Sequence, residues 1–162
     1  MSSTLSQPAN AIFRFAENPI FLSTFVSWFL AQLIKALIGL LKAPRRSARE
    51  ITLTLMWKTG GMPSSHSSLV SSLAAAVGFK EGLDSSLFIV TLVLALIVIR
   101  DSLGVRRSSG LQARLLNQVS KNISERFGTV HHPVKEIHGH APLEVLVGAL
   151  LGLFIAAAFF LL

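Results

Sequence analysis

Residues 142–162 read PLEVLVGALLGLFIAAAFFLL, a stretch that is apolar throughout except for Glu144 near its start. A helix that crosses a bilayer needs about 20 mostly apolar residues, and this stretch has that length. A second run of membrane length, Ile20–Leu41, contains only Gln32 and Lys35 as strongly polar residues. The chain of 162 residues is 51% hydrophobic, with a mean hydropathy of +0.60. These values are too apolar for a soluble domain of this size and predict an integral membrane protein.

Two shorter apolar runs lie between these spans. Ser64–Phe79 is rich in serine and alanine, Ser85–Ile99 is almost wholly aliphatic, and the tight turn at Gly82 and Asp84 makes them an antiparallel pair. Neither run is long unless its polar end is counted, and a polar helix end in a membrane needs protein or a water-filled cavity beside it. The sequence therefore predicts an all-α, polytopic membrane helix bundle with about four transmembrane helices, of which the second and third line a polar pocket.

The remaining segments are more polar. Residues 1–17 are expected to form a disordered or interfacial tail, and residues 18–162 a single transmembrane domain. The first span is predicted to be retained rather than cleaved as a signal, because its apolar run exceeds the usual length of a signal sequence. Residues 108–138 predict a partial helix at Leu111–Val119 and a break at Pro133.

The basic residues are distributed unevenly along the chain, which has a net charge of +7. With four spans, residues 42–62 and 100–140 fall on the same side, and they hold 12 of the 15 basic residues. The positive-inside rule places both segments in the cytoplasm and both termini outside, in a bacterial inner or an organellar membrane.

Nucleic-acid binding is disfavoured, because no aromatic stacking platforms are interleaved with the basic residues. The absence of cysteine excludes disulfides and thiolate metal sites.

Three polar clusters share one depth in this topology. Residues 60–66 read GGMPSSH, residues 100–107 read RDSLGVRR, and residues 138–144 read HGHAPLE. The predicted second helix begins at the first cluster, the third helix ends at the second cluster, and the fourth helix begins at the third. All three clusters therefore lie on the cytoplasmic side, where the predicted polar pocket is placed.

The first two clusters suit an oxyanion. The backbone after Gly61 opens a helix, so its free N–H groups and positive dipole end point at any anion there. Ser64 and Ser65 could add hydroxyl donors, although both are also good N-cap residues. Arg106 and Arg107 offer planar forks that match phosphate oxygens, although both could equally be topology anchors.

The third cluster contains a candidate catalytic pair. His140 and Glu144 are four residues apart and share one helix face, where a carboxylate can fix the tautomer of an imidazole. The same pair could instead be a stabilising contact at the membrane interface.

Lys35 could snorkel from its span, but ionisable groups inside a membrane are functional candidates. Asp101 is expected to pair with a neighbouring arginine, with Mg²⁺ binding alongside Glu144 as the alternative.

These motifs resemble the divergent branch of the type 2 phosphatidic acid phosphatase superfamily, the branch related to acid phosphatases and vanadium-dependent haloperoxidases. The residues that carry the resemblance are GGMPSSHS at 60–67, GLDS at 82–85, Asp101 with GVRR at 104–107, and GHAPLEV at 139–145. They occur in the same order as in that branch, from about Gln32 to Gly152, so the resemblance covers most of the chain.

The resemblance implies a metal-independent mechanism that needs no cofactor. His140 stands where the superfamily has its nucleophile, Glu144 where it has the orienting aspartate, and His66 where it has the general acid. Its Pro-Ser-Gly-His motif has Ser65 in place of glycine, and the arginine six residues before the nucleophile is Val134 here. The superfamily core has six helices against the four predicted, a difference that a homodimer could close. The cations that could hold the phosphate instead are Arg106, Arg107, Lys35 and Lys58.

The resemblance therefore implies a membrane-embedded lipid phosphatase that hydrolyses a phosphomonoester or pyrophosphate of a phospholipid or polyprenyl lipid. Two alternatives remain open. One is a non-catalytic protein that binds or transports phospholipid, which the missing arginine favours. The other is a Mg²⁺-dependent phosphatase that uses Asp101 and Glu144 as metal ligands.

Overall fold

The computed structural model describes residues 8–42, 61–130, 132–136 and 139–162, and all of its regular structure over these ranges is helical. The predicted all-α bundle is confirmed. The helices are α1 (Pro8–Ala16), α2 (Pro19–Lys42), α3 (Ser65–Glu81), α4 (Ser86–Leu103), α5 (Val105–Phe127) and α6 (Pro142–Leu161).

α3 is the central helix of the bundle, and it packs against α2, α4 and α6. α2 runs antiparallel to it, because Lys35 reaches Ser65 at one end and Asn18 reaches Lys80 at the other. α6 runs parallel to α3, since its first turn lies beside the start of α3 and the ring of Phe160 in its last turn stacks on Phe79. The end of α2, the start of α3, the end of α4 and the start of α6 therefore meet at one end of the bundle, called the site end below.

Small residues allow these helices to approach closely. Gly148 and Gly152 of α6 lie so near α3 that a Cβ at either position would overlap the carbonyl oxygen of Ser64 or of Ser68. Close backbone approach between small residues is a main source of helix association in lipid, where burying leucine offers little advantage over leaving it in the acyl chains. We call this contact the α3–α6 seam.

Serine side chains join α2 to α3. The hydroxyls of Ser27 and Ser68 lie 2.6 Å apart, and each also lies within hydrogen-bonding distance of the other's backbone carbonyl oxygen, at 3.1 and 3.2 Å. Both side chains are fully buried. Polar groups away from water must find protein partners, and this reciprocal pair satisfies two of them.

Three helical segments are long and apolar enough to cross a membrane within the described ranges: Pro19–Leu41, Ser86–Phe127, whose apolar part is α4, and Pro142–Leu161. Most of their residues face outward, as expected of helices whose outer faces contact lipid. The predicted second helix, Ser64–Phe79, exists as α3, but it is 17 residues long and its serines lower its hydropathy. It is enclosed by the other helices rather than exposed to lipid.

Several element boundaries differ from the predictions. Residues 8–16 of the expected disordered or interfacial tail form a helix, α1. α5 runs from Val105 to Phe127, much longer than the predicted partial helix, and ends at Gly128 with a left-handed φ of 68° rather than at Pro133. At the turn before α4, Ser85 is the N-cap and accepts from the N–H of Phe88 at 3.1 Å.

Candidate active site

The start of α3 is fixed by Ser64, which is its N-cap. The Ser64 hydroxyl accepts hydrogen bonds from the N–H of Ser67 at 3.4 Å and from the Ser67 hydroxyl at 3.0 Å. Ser64 is also fully buried, and its own N–H donates to the carbonyl oxygen of Glu144 at 2.9 Å. The capping explanation of Ser64 is therefore confirmed, and the same residue ties the first turns of α3 and α6 together.

The N–H groups of Ser65 and His66 precede the first hydrogen bond within α3, which Ser68 donates to the carbonyl of Ser64. Such groups at a helix start carry the positive end of the helix dipole and can bind an anion. The backbone just before this turn passes through Gly61 at a φ of 89°, a conformation that favours glycine. This arrangement is the one that the Gly-Gly and Pro-Ser-Ser-His residues predicted.

His140 and Glu144 form the predicted pair. Nδ1 of His140 lies 2.9 Å from Oε2 of Glu144, and the same oxygen accepts from the N–H of Ala141 at 3.1 Å. His140 is only 4% exposed. Because Nδ1 is engaged by the carboxylate, Nε2 is the nitrogen that remains for chemistry.

Lys35 is buried at the site end, with only 6% of its surface exposed. Its ammonium group lies 3.4 Å from the hydroxyl of Ser65, and its aliphatic stem passes beside Gly61. It also interacts electrostatically with Glu144. The side chain therefore points into the bundle, toward the start of α3.

Arg106 and Asp101 form an ion pair across the junction of α4 and α5, with Nε and Oδ2 2.6 Å apart. This confirms the expected pairing of Asp101 with a neighbouring arginine. Both side chains are partly exposed, which limits how much the pair stabilises the fold. The backbone of Arg107 lies directly against Gly139, where a Cβ would overlap it, so the start of α5 is held beside His140.

His66 is exposed, and its ring is within electrostatic range of charged groups from every other part of the site. Its interacting groups are Arg106, His140, Lys35 and Asp101. All three predicted clusters therefore meet at the site end: through the Ser64–Glu144 hydrogen bond, through Gly139 against Arg107, and around His66.

Two buried polar side chains at or next to the site were given no role by the sequence. Gln32 is one turn before Lys35 on α2, and Ser102 follows Asp101; they are 5% and 3% exposed. Neither the Gln32 side-chain oxygen nor the Ser102 hydroxyl has a hydrogen-bond partner within the described part of the chain. The spacing of Gln32 from Lys35 is the sequence signal that could have indicated its position.

Two predictions gain no support from the geometry. Lys58 lies outside the described residues. Asp101 and Glu144 are engaged by different partners, Arg106 and His140, and no group of three or more His, Asp and Glu in the described ranges is placed to hold a metal ion.

Comparisons with known proteins give the family of the chain. The chain is similar to a Bacillus subtilis (strain 168) protein named Uncharacterized membrane protein YuiD, with 34% identity over 145 residues. The match covers 83% of this chain and 89% of the relative. No solved structure matches the chain. The model of the Divergent PAP2 family matches residues 16–155. This range contains α2–α5 and the first part of α6, together with every described residue of the candidate site. The chain therefore belongs to the Divergent PAP2 family.

Proposed function

We propose that this protein is a phosphatase that hydrolyses a phosphomonoester or pyrophosphate of a membrane lipid through a phosphohistidine. The observation that carries the proposal is the buried His140–Glu144 pair, whose 2.9 Å contact leaves Nε2 directed away from the carboxylate. A carboxylate at this position stabilises the positive charge that the imidazole gains when it attacks phosphorus.

The reaction is proposed to run in two steps. Nε2 of His140 forms a bond to phosphorus as the bond from phosphorus to the lipid oxygen breaks, and His66 gives that oxygen a proton. Water then attacks the phosphohistidine, His66 takes up a proton from the water, and inorganic phosphate leaves. The two steps together return His66 and His140 to their starting states.

The phosphate is proposed to bind between the start of α3 and the cations around it. The N–H groups of Ser65 and His66 supply donors, and Lys35 and Arg106 supply positive charge. Preorganised donors of this kind stabilise the charge that develops in the transition state. Lys35 takes the place of one lost cation in this scheme, because Val134 stands where the superfamily has an arginine.

The test is phosphate release from phosphatidate, phosphatidylglycerophosphate and a polyprenyl diphosphate by the purified protein in detergent. His140→Ala and His66→Ala are each expected to lower the rate by on the order of 10²- to 10⁴-fold. His132→Ala is the matched control, since His132 is exposed. The phosphohistidine is detected by denaturing the protein without acid. The unchanged protein and the His66→Ala variant should then carry bound phosphate that is stable to base, and His140→Ala should carry none. Equal rates in all four proteins would overturn the proposal.

A second candidate function is binding of a phosphorylated lipid without chemistry. The ion pair of Arg106 with Asp101 favours it, because that arginine is already neutralised in part. It predicts saturable lipid binding with no phosphate release, which survives His140→Ala and falls in Arg106→Ala. The release assay is repeated with EDTA to distinguish both candidate functions from a Mg²⁺-dependent phosphatase, whose phosphate release EDTA would abolish.

A further inference from the structure

Within the described ranges, α5 is the least enclosed of the long helices. It has 23 residues, none of which is buried. Within the described ranges its only helix neighbour is α4, which it follows after Gly104. Gly104 has φ and ψ of −100° and −84°, outside helical values, so the two helices are joined by a kink.

α5 is nevertheless strongly two-faced. At 100° per residue, its large apolar side chains fall within about 160° of the helix circumference. Each of them is between 46% and 70% exposed: Leu111, Leu115, Leu116, Val119, Ile123 and Phe127. Arg106, Arg107, Arg114 and Lys121 occupy the opposite side within about 100°. We call these the apolar face and the basic face of α5. Arg126 falls on the apolar side, but it is in the last turn, where a long side chain can reach outward.

Within the described ranges, the side-chain contacts that join α5 to the segment after it use the basic face, and the large apolar side chains of the other face stay exposed. Asn117 exchanges hydrogen bonds with the backbone of Val134, at 2.8 and 2.9 Å. Arg114 lies 3.5 Å from Glu136 in the same segment. A row of exposed apolar side chains of this size marks an interaction surface in a soluble or membrane protein.

The position of α5 indicates what covers that surface. α4 has 18 residues, about 27 Å of helix, which is nearly the thickness of the hydrocarbon core. α5 therefore begins at the level of the headgroups. It contains five basic residues and a single acidic one, Glu125. An apolar face opposite a basic one, without a membrane-spanning composition, is the pattern of a helix that lies in the surface of an anionic membrane.

We propose that α5 lies in the headgroup layer at the site end, with its apolar face on the acyl chains and its basic face among the phosphates of anionic lipids. Arg106 and Arg107 begin this helix beside His66 and His140, so the basic face leads from the lipid headgroups to the candidate active site. The proposal concerns a lipid surface and holds whether or not the site hydrolyses anything.

The sequence offers a direct test, because it has no cysteine and every introduced one is unique. Spin labels would be attached at Leu115→Cys and Val119→Cys on the apolar face, with Lys121→Cys and Glu125→Cys as controls on the basic side. The protein would be placed in vesicles of phosphatidylcholine with phosphatidylglycerol. The apolar-face labels should be accessible to oxygen and protected from a water-soluble nickel chelate, and the control labels accessible to nickel. Nickel access at Leu115 would show a solvated helix, and protection from both reagents would show a protein contact such as a second copy; either result overturns the proposal.

A second measurement tests the anionic partner. The label at Leu115 should move toward water when phosphatidylglycerol is omitted, and in Arg114→Gln/Lys121→Gln that dependence should be lost. A depth that is the same in both lipid mixtures would overturn the role of the basic face. His140→Ala should leave all these depths unchanged, so failure of this proposal and failure of the phosphatase proposal give different results.

Discussion

Glu144 connects the chemistry of the site to its construction. Its carboxylate holds His140 and its backbone carbonyl accepts the N–H of Ser64, so one residue sets both the candidate nucleophile and the anion-binding turn. The two contacts use different groups of the residue. A change confined to the carboxylate therefore alters the imidazole and leaves the α3 turn in place.

Glu144→Gln is expected to lower kcat by on the order of 10²- to 10⁴-fold, with KM and the unfolding temperature close to those of the unchanged protein. The amide keeps the size of the side chain and an acceptor for the N–H of Ala141, but it cannot balance the positive imidazole. Steady-state kinetics and thermal unfolding in the same detergent measure both effects. Glu144→Asp should restore part of kcat, because it returns the charge. A fall in the unfolding temperature without a change in kcat would show that the pair is only structural.

At this scale the sequence was most informative where two residues share a helix face. The four-residue spacing of His140 and Glu144 was enough to predict their contact, because helix geometry alone brings them together. Ser64 could not be assigned, since the same hydroxyl can cap a helix or donate to a phosphate, and only the position of Ser67 decides between them. Ser102 could not be found, because burial of an isolated polar group depends on neighbours from other helices, whereas the spacing of Gln32 from Lys35 could have indicated that residue.

Among the elements, the α3–α6 seam is the contact most sensitive to side-chain size. Gly152→Val should destabilise the protein by about 1–3 kcal/mol, because the added carbons must displace the backbone around Ser68. Leu153→Val is the matched control: it places the same residue one position along, on the half-exposed face, and should change stability by less than about 0.5 kcal/mol. Unfolding in detergent, followed by circular dichroism, compares the two. Similar stabilities would show that the seam can open at little cost.

The elements were predictable to different degrees for a physical reason. Hydropathy finds α2, α4 and α6 because their outer faces contact lipid. α3 gives a weak signal because protein surrounds it, so its composition does not report on the membrane. The end of α5 was misplaced at Pro133, although the glycine after Phe127 is the usual signal for a left-handed helix end and could have located it.

For the molecule as a whole, the helix directions determine which segments lie on the same side of the membrane. The turn between α3 and α4 lies at the end of the bundle opposite the site, whereas Gly139, which follows α5 in the chain, contacts Arg107 at the site end. The distribution of the basic residues predicts that the site end faces the cytoplasm. The packing of the helices does not distinguish the two sides of the membrane, so this prediction rests on charge alone.

Asp84→Cys and Thr129→Cys are therefore expected to lie on opposite sides of the membrane. Both positions are exposed. In intact cells a membrane-impermeant maleimide should label Asp84→Cys, and it should reach Thr129→Cys only after permeabilisation. Labelling in the reverse order would place the site outside the cytoplasm and exclude cytoplasmic-leaflet lipids as its substrates.

The serine-lined surface of α3 also bears on how the protein is made. While the chain is being inserted, Ser68 and Ser72 have no glycine backbone against them, because α6 comes after all the other bundle helices in chain order. α3 is then a helix that a lipid bilayer tolerates poorly by itself, and the short connection to α4 provides a strongly apolar companion to enter with. We expect insertion in two stages, entry of α3 and α4 as a hairpin and later closure by α6, with the candidate site formed only in the second.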